Sequence, residues 1–213
     1  MAQQKTHPSR DIKGLYALTP DTLDTEDLLY RVRLALAGGV QVLQYRNKIA
    51  DTALKLAQAQ ALRQLTHEFG VVFIVNDDAQ LAMQVDADGV HLGATDGEIG
   101  AARSLLGNGK LIGVSCYNRL PLAHAAINAG ADYVAFGAFY SSGVKPDAAV
   151  ATLELLHAAR AGIELPIVAI GGISADNGGI LVEAGADAIA VISAVFDAAD
   201  IQQAAKNLTK LFG

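Results

Sequence analysis

Eight short apolar or β-branched runs alternate with eight longer Ala/Leu/Gln-rich stretches along the whole chain. The runs are Leu15–Thr19, Val40–Tyr45, Val71–Val75, Gly89–Leu92, Leu111–Ser115, Tyr133–Phe136, Ile167–Ile170 and Ala188–Ile192. The stretches between and after them, Thr25–Ala37, Thr52–Phe69, Ala79–Val85, Glu98–Leu106, Leu120–Ala129, Ala149–Ala161, Ala175–Ala184 and Ala198–Phe212, have the composition of helices. Strand followed by helix, repeated without interruption, predicts a parallel sheet. Eight such units in 213 residues, with no linker, predict a single-domain α/β fold, the (β/α)8 TIM barrel, over residues 14–213. The polar residues 1–13 are expected to form a flexible N-terminal tail. An open doubly wound sheet is the rival architecture. It would have fewer units and a Gly-rich turn after its first strand, where this chain has Pro20-Asp21.

A weak repeat agrees with the barrel. Gly38-Gly39-Val40, Ala87-Asp88-Gly89-Val90, Ala129-Gly130-Ala131-Asp132-Tyr133-Val134 and Ala184-Gly185-Ala186-Asp187-Ala188-Ile189 precede the second, fourth, sixth and eighth runs. One repeat per two βα units is a quarter-barrel period, with the glycines suited to helix C-caps. The same pattern also arises where αβ turns simply reuse Gly and Asp.

Composition narrows the function. Hydrophobic residues are 52% and charged residues 18% of the chain, which argues against disorder. A net charge of −6 argues against a nucleic-acid partner. No apolar run approaches the ~18 residues of a bilayer span, so no membrane partner is expected. Cys116 is the lone cysteine, which fits a reducing, cytoplasmic setting. A homo-oligomer is an allowed assembly.

In a barrel the chemistry sits at the C-terminal strand ends, and these are polar in nearly every unit. Gln44, Arg46 and Lys48 lie at i, i+2 and i+4, so an extended chain sends them to one side and Tyr45 and Asn47 to the other. Two cations and an amide on one side suit a phosphate; an exposed basic turn would carry the same residues. Asn76-Asp77 ends the third run and Asp96 follows the fourth. Two carboxylates at neighbouring strand ends suit Mg2+. Asp77 could instead cap the helix from Ala79, and Asp96 a turn before Glu98. Ser115 ends the fifth run, and a loop with Lys145 follows the sixth. Gly171-Gly172 and Ile192-Ser193 follow the seventh and eighth, where barrels often bind phosphate through backbone N–H groups. His91 reads as a packed, hydrogen-bonded histidine, and His67, His124 and His157 as surface residues. No Walker-type phosphate loop and no G-x-S-x-G occurs.

Taken in order, these motifs resemble the thiamine-phosphate synthase family. The resemblance runs from Leu15 to about Asp200 and rests on Gln44-Tyr45-Arg46-Asn47-Lys48, Phe73-Ile74-Val75-Asn76-Asp77, Ala87-Asp88-Gly89-Val90-His91-Leu92-Gly93 leading to Asp96, Ile112-Gly113-Val114-Ser115, Val168-Ala169-Ile170-Gly171-Gly172-Ile173 and Ala190-Val191-Ile192-Ser193-Ala194. It implies a transferase that joins 4-amino-5-hydroxymethyl-2-methylpyrimidine diphosphate to 4-methyl-5-(2-phosphooxyethyl)thiazole, giving thiamine phosphate and diphosphate. It implies that Gln44, Tyr45, Arg46, Asn47, Lys48 and Asn76 contact the pyrimidine diphosphate. Ser115 and Lys145 would bind its diphosphate, and Asp77 and Asp96 would hold Mg2+. Ser142, Gly143, Val144, Gly172, Ile192 and Ser193 would lie around the thiazole phosphate. Arg46, Lys48 and Lys145 would stabilise the leaving group.

One departure stands out. Where the family carries Pro-Thr-x-Thr-Lys, this chain has Ser141-Ser142-Gly143-Val144-Lys145. Val144 lacks a hydroxyl, and a lost hydrogen bond to a charged group is worth ~1.5–3 kcal/mol. Two other readings follow from it. One is a thiazole tautomerase-like paralogue, although that family has a histidine where Ala138 stands. The other is a non-catalytic binder of thiazole phosphate or thiamine phosphate.

Overall fold

The computed structural model describes residues 11–93, 99–140 and 150–213. Eight parallel strands close on themselves in sequence order: β1 (Gly14–Leu18), β2 (Val42–Tyr45), β3 (Val72–Asn76), β4 (Gly89–Leu92), β5 (Leu111–Ser115), β6 (Tyr133–Gly137), β7 (Ile167–Ile170) and β8 (Ala188–Val191). Closure comes from β1 pairing with β8, Leu15 opposite Ile189 and Ala17 opposite Val191. The helices are α1 (Thr25–Ala37), α2 (Thr52–Phe69), α3 (Ala79–Gln84), α4 (Ile99–Leu106), α5 (Leu120–Asn128), α6 (Leu153–Gly162), α7 (Gly179–Glu183), α8 (Ser193–Phe196) and α9 (Ile201–Thr209), with a 3-10 turn at Lys210–Phe212. The open-sheet rival is excluded.

Local chemistry sets the helix starts. Asp24, Asp51, Asp78, Thr152 and Asp200 each accept a hydrogen bond from the backbone N–H three residues on, satisfying a donor the helix leaves unpaired. Two expected helices begin later for this kind of reason. Thr152 caps α6, so that helix opens at Leu153, and the expected start at Ala149 lies outside the described residues. Before α7, the Asn177 side chain accepts from Ser174 N at 2.8 Å and Gly178 and Gly179 follow, so the chain turns until Gly179. The expected helix from Ala198 opens at Ile201, and the end of the eighth run turns instead into the one-turn helix α8. Within the expected tail, Ile12 is buried and belongs to the interior cluster that includes Tyr16 and Val42.

Alternation along each strand divides the core in two. Tyr16, Leu18, Val42, Ile74, Tyr133, Ala135, Val168, Ala188 and Ala190 fill the barrel interior. Leu15, Ala17, Leu43, Phe73, Val75, Val90, Ile112, Val134, Ile167 and Ile189 pack outward under the helices.

The weak repeat becomes a repeated clasp at the N-terminal end of the barrel. Asp88 accepts from Phe73 N at 2.9 Å and Arg63 Nη1 at 3.0 Å. Asp132 accepts from Ile112 N at 2.7 Å and Arg103 Nη2 at 2.5 Å. Asp187 accepts from Ile167 N at 2.7 Å and Arg160 Nη1 at 2.9 Å. Each carboxylate thus ties the preceding strand to the helix that leads into that strand, α2, α4 or α6. In the remaining quarter the equivalent position is Gln41, whose N–H reaches Leu15 O at 2.9 Å just as Asp88 N reaches Phe73 O at 2.8 Å.

Candidate active site

At the opposite, C-terminal end the strands surround a cavity of about 430 Å³. Its walls follow from strand parity. The inward positions of β2 continue past the strand as Gln44, Arg46 and Lys48, and all three line the cavity. Asn76 of β3, His91 of β4, Ser115 of β5, Gly137 of β6, Ile170 of β7 and Ala190 of β8 are inward by the same rule. Asp77, Gly172, Ile192 and Ser193 complete the set at the rim. The structure therefore brings together nine of the residues singled out above: Gln44, Arg46, Lys48, Asn76, Asp77, Ser115, Gly172, Ile192 and Ser193.

Tyr45 and Asn47 do not join them. Tyr45 OH donates to Gln58 Oε1 at 2.9 Å, and Asn47 Nδ2 donates to the same oxygen at 2.9 Å. Asn47 Oδ1 accepts from Ile49 N and Ala50 N, both at 3.1 Å. The period of two turns these side chains toward α2, where they brace the turn that carries Arg46 and Lys48. Neither Tyr45 nor Asn47 lines the cavity, so the structure does not bring these two together with the other expected substrate residues. Asp96, Ser142, Gly143, Val144 and Lys145 lie outside the described residues.

Arg46 is held in place. Its Nη1 lies 3.1 Å from both carboxylate oxygens of Asp21, and Asp21 Oδ1 also accepts from Lys48 N at 2.8 Å. Thr19 Oγ1 bridges the backbone of Arg46, accepting from its N at 2.9 Å and donating to its O at 2.8 Å. One loop after β1 thus fixes the cationic turn after β2. The Lys48 ammonium is exposed and takes no partner among the described residues.

Asp78, not Asp77, caps α3, with Leu81 N 2.8 Å from its Oδ1. That removes the capping reading of Asp77. Asp77 has φ 61, a left-handed conformation that aspartate tolerates better than most residues. Its N–H donates to His91 O at 2.8 Å, and its Oδ2 accepts from Asn76 Nδ2 at 2.5 Å. The carboxylate is exposed at the cavity rim, next to a carboxamide. A hard oxygen donor in an open site fits a cation that keeps several waters and shares phosphate oxygens.

Across the cavity, Gly171 and Gly172 have φ 106 and 62, in the region that favours glycine. Asn177 Nδ2 holds this turn through Gly172 O at 3.1 Å. Ser193 opens α8, whose first turn leaves backbone N–H groups without intrahelical partners.

On the floor of the cavity His91 is packed and hydrogen-bonded as expected, but the network it joins through Tyr16 and Tyr133 was missed by the sequence reading. Gln44 Nε2 donates to Tyr16 OH at 2.6 Å, and Tyr16 OH lies 3.0 Å from Tyr133 OH. Tyr133 OH lies 3.0 Å from His91 Nδ1, and His91 Nε2 lies 2.9 Å from Ser115 Oγ. Burial holds the His91 imidazole down to about 4 and pushes both phenols up. Alternation alone marks Tyr16, His91 and Tyr133 as inward. Tyr117, whose φ is 52, also lines the cavity and carried no signal.

Comparison with known proteins gives a consistent answer. The thiamine monophosphate synthase family matches residues 15–195. A thiamine-phosphate synthase from Thiobacillus denitrificans is 56% identical, covering 93% of this chain and 94% of that protein. One from Chromobacterium violaceum is 54% identical over 95% and 97% of the two chains. The solved structure of a thiamine phosphate pyrophosphorylase from Pyrococcus furiosus superposes with a TM-score of 0.85 at 39% identity, covering 93% of this chain and 95% of that one.

Proposed function

The chain belongs to the thiamine monophosphate synthase family, and from that premise we infer that it is a transferase joining the pyrimidine methyl diphosphate to the thiazole phosphate to give thiamine phosphate and diphosphate. The observation that carries the reading is one cavity that gathers Gln44, Arg46, Lys48, Asn76, Asp77 and Ser115 opposite the Gly171-Gly172 and Ile192-Ser193 turns.

The chemistry needs little beyond positioning and charge. The methylene carbon–oxygen bond breaks and its electron pair leaves with diphosphate. The thiazole nitrogen then gives its lone pair to that carbon. This nitrogen carries no proton, so no general base is required, and the neutral His91 beneath the site need not act as one. The ring amino group stabilises positive charge on the methylene, which favours a dissociative path. Arg46, held by Asp21, Lys48 and Lys145 stabilise the charge that grows on the leaving oxygens. Gln44 and Asn76 orient the pyrimidine, and Ser115 donates to the diphosphate. Gly172, Ile192 and Ser193 bind the thiazole phosphate, a role also assigned to Ser142, Gly143 and Val144. Asp77 and Asp96 are the residues that would hold Mg2+, which would add charge neutralisation at the diphosphate. Residues 14–213 act as one catalytic barrel.

The substrates are small phosphorylated molecules. Among the described residues no helix is long and apolar enough to cross a membrane. We assign the protein to the cytoplasm, a setting compatible with a lone buried Cys116 whose thiol burial pushes up to about 12. A homo-oligomer is compatible with this reading.

Diphosphate release with and without the thiazole phosphate, at saturating Mg2+, tests the proposal. Release matched mole for mole by thiamine phosphate is expected when both substrates are present. Thiazole phosphate binding without release would instead indicate a binder, and conversion of a thiazole carboxylate phosphate would indicate the tautomerase-like activity.

A further inference from the structure

The hydrogen-bond chain across the cavity floor has only one direction that satisfies every link, given the Gln44 nitrogen at its start. An amide nitrogen can only donate. Tyr16 OH accepts from Gln44 Nε2, so its own proton goes to Tyr133 OH, its other polar neighbour. Tyr133 OH, accepting from Tyr16, must donate onward to His91 Nδ1. That nitrogen is therefore bare, and the single proton of a neutral imidazole sits on Nε2, facing Ser115 Oγ. Ser115 Oγ accepts there and has no other partner among the described residues, so its O–H is left to point into the cavity it lines.

We propose that Tyr16, Tyr133 and His91 are positioning residues that polarise this chain in one sense, making Ser115 a standing hydroxyl donor at the anion side of the cavity while turning the Gln44 carbonyl, an acceptor, toward the pyrimidine side. The proposal rests on the functional reading above for the identity of the two ligands. Its internal logic rests on the geometry alone. The five residues come from β1, β2, β4, β5 and β6, so the chain crosses the barrel interior and links opposite walls.

Packing holds the chain in place. Tyr16 and Tyr133 are among the largest fully buried side chains, their ring centroids 6.3 Å apart, and His91 lies 5.5 Å from the Tyr133 ring. Gly113 of β5 makes room for this. A Cβ there would stand 2.0 Å from Tyr133 Cζ. Because these rings are buried and packed together, the direction of the protons is set before ligand arrives, and no reorientation is needed as charge builds on the leaving group.

The direct test is the protonation pattern of the His91 ring, read by nitrogen-15 NMR in ligand-free wild-type protein. Proton on Nε2 with bare Nδ1 is expected; proton on Nδ1 would reverse the chain and overturn the proposal. Two variants then separate positioning from mere packing. Tyr133→Phe removes the donor to Nδ1, so the ring should populate both tautomers and inorganic diphosphate should bind roughly ten-fold more weakly. Tyr16→Phe breaks the chain upstream of Tyr133. The His91 tautomer should stay single and diphosphate binding should change by less than about two-fold, while KM for the pyrimidine substrate rises as the Gln44 amide loses its anchor. Equal losses of diphosphate binding in both variants would sink the directional account. Should Tyr133→Phe fail to fold, the wild-type spectrum and Tyr16→Phe still decide. Failure of the wild type to make thiamine phosphate would reject the functional reading and leave the tautomer result standing.

Discussion

The two ends of this barrel use the same residue types for different purposes. At the N-terminal end, Asp88, Asp132 and Asp187 repeat one arrangement, each accepting from a strand N–H and from an arginine of the helix that leads into that strand. At the C-terminal end the polar side chains that face the cavity follow no repeat. Arg46 pairs with Asp21, Lys48 extends free of protein partners among the described residues, and Asp77 stands at the rim. Repetition marks the end where charge is spent on holding helices to strands. Variety marks the end where groups face a cavity. A carboxylate says little by itself, and its partners say which of the two it serves.

The sharpest way to break this contrast is to mutate one residue at each end. Asp77→Asn, which suits the same left-handed backbone, should lower kcat by roughly 10²–10³-fold, the cost of removing one electrostatic contributor to charge development, with little change in Tm. Retention of near-normal turnover would remove Asp77 from the site. Between the ends lies His91, and acid should expose its burial. Its folded pKa is lowered to about 4 from 6.5, so the unfolded chain takes up a proton first as pH falls. The stability contributed by the neutral ring is complete above pH 6.5, declines as pH drops, and is gone near pH 4. The total is about 3 kcal/mol. Urea titrations of metal-free wild type and His91→Gln across this window should diverge; parallel curves would contradict it. Asp88→Asn should then cost about 2–3 kcal/mol, or about 4–12 °C in Tm, with kcat unchanged. The other two clasps should matter less, because the Asp132 and Asp187 side chains are 36% and 38% exposed against 12% for Asp88. The smallest effect should come from Asp200→Ala, the cap of α9, at about 1 kcal/mol by calorimetry.

Much of the upper rim was legible because alternation is a local property. Gln44, Arg46 and Lys48 share a side for the same reason that Tyr45 and Asn47 leave it, and five residues suffice to see it. The strand order followed from the repeated alternation of strand and helix. Other features needed coordinates. Asp77 and Asp78 are adjacent carboxylates before one helix, and only the hydrogen bond to Leu81 N decides which of them caps it. The helix α8 is four residues long, too short for any periodicity. The floor network joins Tyr16 to Tyr133, 117 positions apart, and Tyr133 to His91, 42 apart. No local pattern encodes such a meeting. Asp21 entered the sequence reading only as the residue after Pro20, and its hold on Arg46 appears only once β1 and β2 are side by side.

The clasps also bear on the order in which the chain assembles. Each arginine lies 25 to 29 residues from its carboxylate, whereas the pairing of β1 with β8 joins Gly14 to Ala188. Closing a loop costs more entropy as it lengthens, and local contacts form faster than distant ones. The chain should therefore gather first as helix-and-strand segments, with the ring sealing last. Pulse-labelled hydrogen exchange during refolding should find the amides of Phe73, Ile112 and Ile167 protected before that of Gly14. The reverse order would mean that the seam between first and last strands nucleates the barrel.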